Sequence, residues 1–385
     1  MTKSKYGQVS WGDISSMAKI LLPLPFLLCW KLLLSPFIKQ LQHKTWLRVI
    51  SDCSAQQLTS LSFPQLQYAL GDSATVYNSF INQARLTPLI EELDGGTQLA
   101  WVGPRRTDRV VLYLHGTLIC LCVANSHRLT VPGGGYTSFA PPSGLTFFRY
   151  IQLELEKKGV EAGLAVLLYS LLPDASYPTP LREMRTAVDY LLKSGVAPKN
   201  LIFTSDSAGG NLTLAFFSHI LHPHPTIESF SLPSGSRFGG AFLLSPWVSL
   251  AGDDVPNSYD ENGPFDVTDA ATLRAWGHYA LEGVPGAEIN YMEPIKTPDG
   301  WYEGTDQLVD NVFISVGEFE CLRDSILTFY EKKFKRYAGH SQLYVQKGGV
   351  HVDPFYDFFF VASPKTTGEL TPKVVNWIAD SFRSE

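Results

Sequence analysis

Cysteine is scarce in this 385-residue chain, and its five cysteines are scattered and odd in number. That arrangement indicates no disulfide framework, and Cys120 and Cys122 lack the second pair of ligands that a zinc site needs. The chain also lacks an excess of positive charge. Its net charge of −6 argues against a nucleic-acid partner. No repeat period or low-complexity tract is visible, so solenoid and fibrous classes are excluded.

Apolar residues make up 45% of the chain, which is long enough to bury the core of one α/β domain. Short apolar runs predict buried strands that alternate with amphipathic helices. This alternation predicts an α/β fold, a doubly wound and mostly parallel sheet with helical cap elements, whose ligands bind beyond the carboxyl ends of the strands. The predicted strands are Gln98–Val102, Arg109–Leu114, Ala162–Tyr169, Leu201–Thr204, Gly240–Leu244, Val312–Val316 and Gln342–Val345.

Three parts of the chain differ in composition. Residues 1–40 form an apolar N-terminal anchor or arm, residues 41–97 a helical lead-in or cap, and residues 98–385 the main α/β domain. Within that domain, residues 251–305 are polar and aromatic without strand character, which predicts a cap insertion. Predicted helices in the lead-in are Thr45–Ile50, Pro64–Leu70 and Ser73–Gln83; those of the main domain are Ser143–Lys158, Leu181–Ser194, Leu322–Ala338 and Lys373–Phe382.

The segment Ile20–Ile38 is the one strongly apolar stretch, and its length approaches the ~20 residues of a membrane-spanning helix. Three prolines and Lys31 interrupt it, which favours a broken or interfacial helix over a straight span. We expect a membrane-associated protein, with the endoplasmic reticulum as a candidate membrane. The alternative is an apolar arm packed on the protein's own cap, in a cytoplasmic protein.

The stretch LIFTSDSAGGNL, Leu201–Leu212, predicts a strand that feeds a helix through a tight turn with Ser207 at its apex. Such a nucleophile elbow holds a hydroxyl above the sheet and directs N–H groups of the helix start towards the space beside it. Ser205 replaces the first glycine of the G-x-S-x-G pattern, but serine is small enough for that position. The alternative is an ordinary Ser/Gly loop before a helix.

Two further side chains follow later strands in the order that a serine hydrolase of this architecture requires. His351 lies on a Gly-rich loop after the last predicted strand, where it can act as a base. Glu320 follows strand Val312–Val316 and is our choice for the acid that orients the histidine. Glu318 and Asp324 are its rivals, with Asp324 more suited to capping or pairing with the next helix.

These motifs together resemble the hormone-sensitive-lipase-type branch of the α/β-hydrolase fold. Residues 205–212 are similar to that branch's GDSAGGNL, residues 169–178 to its Y-x-L-A-P-E-x-x-Y-P, and residues 320–324 to its D-x-L-R-D, with glutamate in the acid position. The resemblance covers about Gln98 to the C-terminus. It implies hydrolysis of carboxylic esters without metal or cofactor.

The resemblance also implies the roles of the site residues. Ser207 is the nucleophile, His351 the general base and Glu320 the acid of a catalytic triad. The oxyanion and substrate-binding loop comprises Gly116, Gly134 and Gly135, with Ala208 of the elbow as a further N–H donor.

One departure from the family pattern affects this loop. The branch carries an unbroken H-G-G-G-[YF], whereas here His115-Gly116 is separated from Gly134-Gly135-Tyr136 by residues 117–133. Removing that segment restores HGGGY. Its ends can encode a splice donor and an acceptor in the same phase, with a branch-site-like sequence between them. The segment is therefore predicted to be a short unspliced intron translated in frame, or else a genuine loop insertion.

Two other functions remain open from the sequence. If residues 117–133 displace the oxyanion loop, the chain is a catalytically impaired binding protein; with an alcohol as acceptor, the same triad would serve an acyltransferase. The expected partner is a small lipophilic ester, such as an acetylated sterol or another short-chain acyl ester. This expectation comes from the apolar N-terminus and from the aromatic residues of the insertion, Tyr259, Phe265, Trp276, Tyr279, Tyr291, Trp301 and Tyr302.

Overall fold

The computed structural model describes residues 6–116, 135–137, 142–253 and 257–383. Within these ranges the chain forms one eight-stranded sheet with the order β1-β2-β4-β3-β5-β6-β7-β8. The strands from β3 to β8 run parallel, and β2 pairs antiparallel with both β1 and β4. Their bounds are β1 Leu89–Glu92, β2 Gln98–Val102, β3 Val110–Leu114, β4 Gly163–Leu167, β5 Leu201–Asp206, β6 Gly240–Leu244, β7 Asn311–Gly317 and β8 His340–Gln346.

The predicted fold class is confirmed. Strands β3, β4, β5 and β6 are buried at every position, as expected for continuous apolar runs covered by helices on both faces. The helices are α1 Trp11–Leu21, α2 Leu24–Leu34, α3 Trp46–Thr59, α4 Phe63–Leu70, α5 Ser73–Gln83, α6 Pro142–Lys157, α7 Thr179–Lys193, α8 Ser207–Leu221, α9 Ser258–Asn262, α10 Ala270–Leu281, α11 Thr305–Leu308, α12 Arg323–Phe329 and α13 Leu370–Ser381.

Two secondary-structure predictions were wrong. The lead-in is not wholly helical, because β1 lies inside it and pairs with β2 as a short antiparallel edge strand. Its four residues are too few to give a readable alternation. The helix predicted over Leu322–Ala338 is regular only as far as Phe329, since Tyr330–Phe334 continues as a π-helical turn.

The N-terminal apolar segment forms two helices, α1 and α2, which are separated at Leu22 and Pro23. Neither helix has a buried residue, and the stretch Trp11–Phe37 is long and apolar enough to cross a membrane by length and composition. A few polar contacts connect it to the rest of the protein. The Lys31 ammonium, for example, donates to Gln56 Oε1 of α3 at 3.1 Å.

The insertion packs as helical cap structure, and its described residues include α9 and α10. Most of its aromatic side chains are consumed by packing rather than left to line a pocket. The buried ones, all part of the hydrophobic core, are Tyr259, Trp276, Tyr291 and Tyr302.

Candidate active site

Ser207 lies at the junction of β5 and α8, with a positive φ of 47°. The turn is tight enough to require glycine nearby. A Cβ on Gly209 would lie 1.9 Å from the carbonyl oxygen of Leu114, and one on Gly210 would lie 2.7 Å from Pro246 Cβ. The helix therefore starts directly against the sheet, and the serine hydroxyl projects at its carboxyl edge as a nucleophile elbow requires.

Ser205 is accommodated where the family pattern has glycine. Its side chain is fully buried, and its hydroxyl accepts a hydrogen bond from Thr213 Oγ1 at 3.1 Å. A second hydrogen bond runs from Ser205 Oγ to the carbonyl oxygen of Phe242 at 3.4 Å. The departure from the pattern thus leaves the hydroxyl satisfied and the turn intact.

The structure brings the three predicted triad residues together. His351 Nε2 lies 2.9 Å from Ser207 Oγ, and His351 Nδ1 lies 3.3 Å from Glu320 Oε1. All three residues are buried. With its proton on Nδ1, the neutral imidazole donates to the carboxylate and can accept the serine proton.

Glu320 is itself held by hydrogen bonds at the end of β7. Its Oε2 accepts from Ser245 Oγ at 2.7 Å and from the N–H of Gly317 at 2.6 Å. The rival acids are engaged elsewhere: Glu318 accepts from the N–H of Gly348, and Asp324 pairs with its neighbour Arg323. Of the three candidates, only Glu320 reaches the imidazole.

The charges around the imidazole favour its protonated form. Burial lowers the pKa of His351, but the hydrogen bond and charge of Glu320, with the charges of Asp266 and Asp206, outweigh burial and raise that pKa above 6.5. Burial also raises the pKa of Asp206 to about 7, against the hydrogen bond from Tyr113. Around this histidine, acidic side chains therefore stabilise a transient imidazolium.

The loop predicted to hold an oxyanion lies partly outside the described residues, since Gly134 and the segment 117–133 are not among them. Gly116 lies against the elbow, where a Cβ would be 2.3 Å from the Ala208 nitrogen. The N–H of Gly135 donates to the carbonyl oxygen of Gly116 at 3.2 Å. Ala208 is in the first turn of α8, where a backbone N–H has no intrahelical partner. Gly116, Gly135 and Ala208 thus converge beside Ser207.

Sequence reasoning missed two residues that support the site. Ser245, directly after β6, donates to Glu320 and accepts from the N–H of Val352 at 3.2 Å. Its position at the end of a strand was the signal that could have identified it. Asp266 accepts from the N–H of His351 at 2.8 Å, and no sequence pattern marked it because it lies in the cap insertion.

Comparisons with known proteins agree with this arrangement. The sequence profile of the family described as the alpha/beta hydrolase fold matches residues 133–354. A Schizosaccharomyces pombe protein provisionally named a steryl acetyl hydrolase is 24% identical over 66% of this chain and 62% of its own length. The esterase LipU of Mycobacterium tuberculosis is 31% identical over 49% of this chain and 55% of its own. The chain thus spans less than two thirds of either relative.

The fold has close solved counterparts. An esterase from the bacterial hormone-sensitive lipase family superposes with a TM-score of 0.58, at 16% identity, over 98% of this chain and 99% of the other. At that identity the likeness concerns the fold alone. Since the family match covers more than half of the sequence and its motifs meet at one buried site, the chain belongs to the α/β-hydrolase fold family, and its motifs resemble those of the hormone-sensitive-lipase-type branch.

Proposed function

We propose that this protein is a carboxylic ester hydrolase that acts through a Ser207–His351–Glu320 triad. The proposal rests on a buried chain of two hydrogen bonds, which we call the relay. Ser207 Oγ lies 2.9 Å from His351 Nε2, and His351 Nδ1 lies 3.3 Å from Glu320 Oε1. A hydroxyl hydrogen-bonded to an imidazole, itself oriented by a carboxylate, is the arrangement that activates serine for acyl transfer.

The reaction proceeds in two steps. His351 takes the proton of Ser207 as the serine oxygen bonds to the ester carbonyl carbon, and the tetrahedral oxyanion accepts hydrogen bonds from the N–H groups of Gly134 and Ala208. The N–H of Gly135, which the sequence also predicted as a donor, instead donates to the carbonyl oxygen of Gly116. Collapse expels the alcohol, which takes the proton from His351. Water then attacks the acyl-enzyme with His351 again as base, which releases the acid and regenerates Ser207.

The triad is tested by Ser207→Ala assayed with p-nitrophenyl acetate. We expect hydrolysis to be abolished, because no other nucleophile can form the acyl-enzyme. Ser205→Ala is the matched control, two residues earlier in the same elbow, and should keep its activity. Activity retained within a few-fold in Ser207→Ala would refute the assignment.

Labelling by a fluorophosphonate distinguishes an enzyme from an impaired binding protein. The reagent reacts only with an activated serine, so the wild-type protein should be labelled and Ser207→Ala should not. A competing alcohol added to the assay would divert product to a new ester if the chain were an acyltransferase, and we expect free acid to dominate.

For the substrate, we propose lipophilic esters with a short acyl group. The provisional name of the S. pombe relative, a steryl acetyl hydrolase, supports this class. The exposed apolar side chains of the N-terminal helices support it as well, since a lipophilic substrate partitions into a membrane. Sterol and simple alkyl acetates should be preferred over long-chain acyl esters of the same alcohols.

We also propose that α1 and α2 attach the protein to a membrane. Along Trp11–Phe37 many large apolar side chains are exposed, although Met17, Ile20 and Leu21 of α1 pack partly against the core; the most exposed are Trp11, Leu22, Phe26, Trp30, Leu33 and Phe37. Contiguous apolar surface of this kind is rare on a protein that stays in water. The break at Pro23 favours two helices lying in the interface over one straight span.

A further inference from the structure

Asp266 is a fully buried carboxylate in the cap insertion, with 1% of its surface exposed. It accepts three main-chain hydrogen bonds: from Cys321 at 2.7 Å, from His351 at 2.8 Å and from its neighbour Val267 at 2.8 Å. Burying a carboxylate is costly unless it is hydrogen-bonded in this way. If the position were needed only for packing, a neutral side chain would cost less free energy to bury.

The partners of this carboxylate belong to the two loops that carry the acid and the base. Cys321 directly follows Glu320 on the loop after β7, and the other N–H is that of His351 itself, on the loop after β8. The Asp266 side chain is thus a bridge between the backbone of His351 and that of Cys321, the residue directly after Glu320.

We propose that Asp266 is a positioning residue for the His351–Glu320 pair, holding both loops at the separation that their hydrogen bond requires. This inference rests on the proposed ester hydrolysis. The Nδ1 to Oε1 distance of 3.3 Å leaves little tolerance, because hydrogen bonds weaken quickly beyond about 3.2 Å. A misplacement of ~1 Å in a catalytic group can cost ~10²-fold in rate.

Asp266 also contributes charge to the site. Three acidic groups face His351 from three elements: Glu320 from the β7 loop, Asp206 from the elbow, and Asp266 from the insertion. The groups that face Asp266 in turn are His351, Glu320, Cys321 and Tyr356. Burial raises the pKa of Asp266 to about 6, against the charge of His351, so it is mainly ionised at pH 8. Removing its charge should make His351 easier to deprotonate.

The test compares Asp266→Asn and Asp266→Glu with Asp269→Asn. The asparagine amide has the same shape as the carboxylate. However, its NH2 group would replace an oxygen that accepts a main-chain N–H in the wild type, so a hydrogen bond would be lost. Glutamate keeps the charge with altered geometry. Asp269 is a matched control, since it lies in the same insertion and accepts one main-chain hydrogen bond, from Thr272, as a helix cap. Rates are divided by the number of sites that a fluorophosphonate titrates, so that misfolded protein does not count.

We expect kcat of Asp266→Asn per titrated site to fall 10- to 100-fold with KM nearly unchanged. The acidic limb of its kcat/KM–pH profile should move to lower pH. Asp266→Glu should lower kcat but leave that limb in place, and Asp269→Asn should match the wild type.

Two results would overturn the proposal. The first is a wild-type kcat and an unmoved limb in Asp266→Asn. The second is an activity loss that equals the loss of titrated sites, which would make Asp266 a contact needed only for folding. A wild-type protein that neither hydrolyses esters nor reacts with the label would instead overturn the proposed function, and this role with it.

Discussion

At the residue scale, three residues at or beside the relay have left-handed backbone conformations that non-glycine residues seldom adopt. Ser207, Ser245 and Val352 have φ angles of 47°, 48° and 49°. Ser207 belongs to the relay, Ser245 donates to Glu320, and Val352 directly follows His351. Such conformations cost ~1–3 kcal/mol each and persist only where surrounding contacts enforce them. The strain is therefore concentrated where side chains must be aimed.

The pH dependence of ester hydrolysis follows from the charges at His351. A general base must be neutral, so kcat/KM should fall as pH falls through the pKa of this histidine, and the raised pKa places that fall above pH 6.5. In Glu320→Gln the loss of negative charge should shift the fall to lower pH. Its kcat should also drop, by up to ~10⁴-fold, since the amide does not hold the required tautomer.

The measurement is a kcat/KM profile from pH 5 to 9 with p-nitrophenyl acetate, in wild-type protein and Glu320→Gln. Glu318→Gln is the control, two residues away, and should change neither midpoint nor rate. A wild-type midpoint below pH 6.5, or equal profiles for the wild type and Glu320→Gln, would contradict this account.

At the scale of elements, α3 is tied to the histidine loop by a buried ion-pair cluster. Arg48 of α3 pairs with Asp353, two residues after His351, and with Asp52 of its own helix at 2.7 Å. A third carboxylate, that of Asp357, lies 3.7 Å from Arg48 Nη1. Only 13% of the Arg48 side chain is exposed. The lead-in therefore braces the loop that presents His351.

Arg48→Met should be strongly destabilising. Removing one partner of a buried ion pair leaves uncompensated carboxylates and costs ~3–5 kcal/mol in the free energy of unfolding. Arg237→Met is the matched control, because Arg237 pairs with Asp310 on the surface, where both side chains are at least 40% exposed, and should cost ~0–1 kcal/mol. Urea unfolding of both variants measures the difference; equal midpoints would contradict the assigned role of the cluster.

The segment 117–133 interrupts the predicted oxyanion loop. The residues described on its two sides, Gly116 and Gly135, are already in contact. The N–H of Gly135 donates to the carbonyl oxygen of Gly116, and with the segment removed only Gly134 would separate these two residues. The contact would then be the i to i+2 hydrogen bond of a γ-turn, which one residue can close. The family match also begins at residue 133, the last residue of the segment.

We therefore predict that a variant lacking residues 117–133 folds and hydrolyses p-nitrophenyl acetate at least as fast as the full chain. The full chain should be slower if the segment displaces the N–H donors of the oxyanion, since the loss of each donor lowers the rate ~10²–10³-fold. Sequencing of transcripts across the junction provides the independent check, and reads without these codons would support an intron. An unfolded or inactive deletion variant, with no such reads, would identify the segment as a genuine part of the protein.

At the scale of the whole molecule, the N-terminal helices form a separate apolar surface. Because α1 and α2 contain no fully buried residue, we expect the core to stay folded without them, although Met17, Ile20 and Leu21 of α1 pack against it. Buried apolar area stabilises by ~25 cal/mol per Å², so a few inserted Trp, Phe and Leu side chains suffice for membrane attachment. The full chain should stay in the membrane pellet after carbonate washing.

A protein that starts near Gln40 should become soluble and remain active, because it keeps Arg48 and all of α3. The control is a full-length variant with Phe26 and Trp30 replaced by serine, which should weaken attachment without altering kcat. Full-length protein that is soluble without detergent would show instead that these helices belong to the cap.

The α/β fold and the candidate site residues could be predicted from the amino-acid sequence alone. Buried strands are continuous apolar runs, and the elbow, the histidine loop and the acid follow such runs in a readable order. Local spacing carries that information, so Ser207, Glu320 and His351 could be proposed as site residues from the sequence. The alternation of strands and helices then required their loops to share one edge of the sheet.

The groups that hold the proposed triad in place could be identified only from the folded structure. Asp266 and Ser245 lie 85 and 106 positions before His351 in the chain, counted from their numbers, and contacts across such distances leave no local pattern. The structure also shows that Glu320, chosen over Glu318 from the sequence, is the carboxylate that points at the imidazole. Short edge strand β1 was missed for the same reason, since its pairing with β2, rather than its own four residues, makes it a strand.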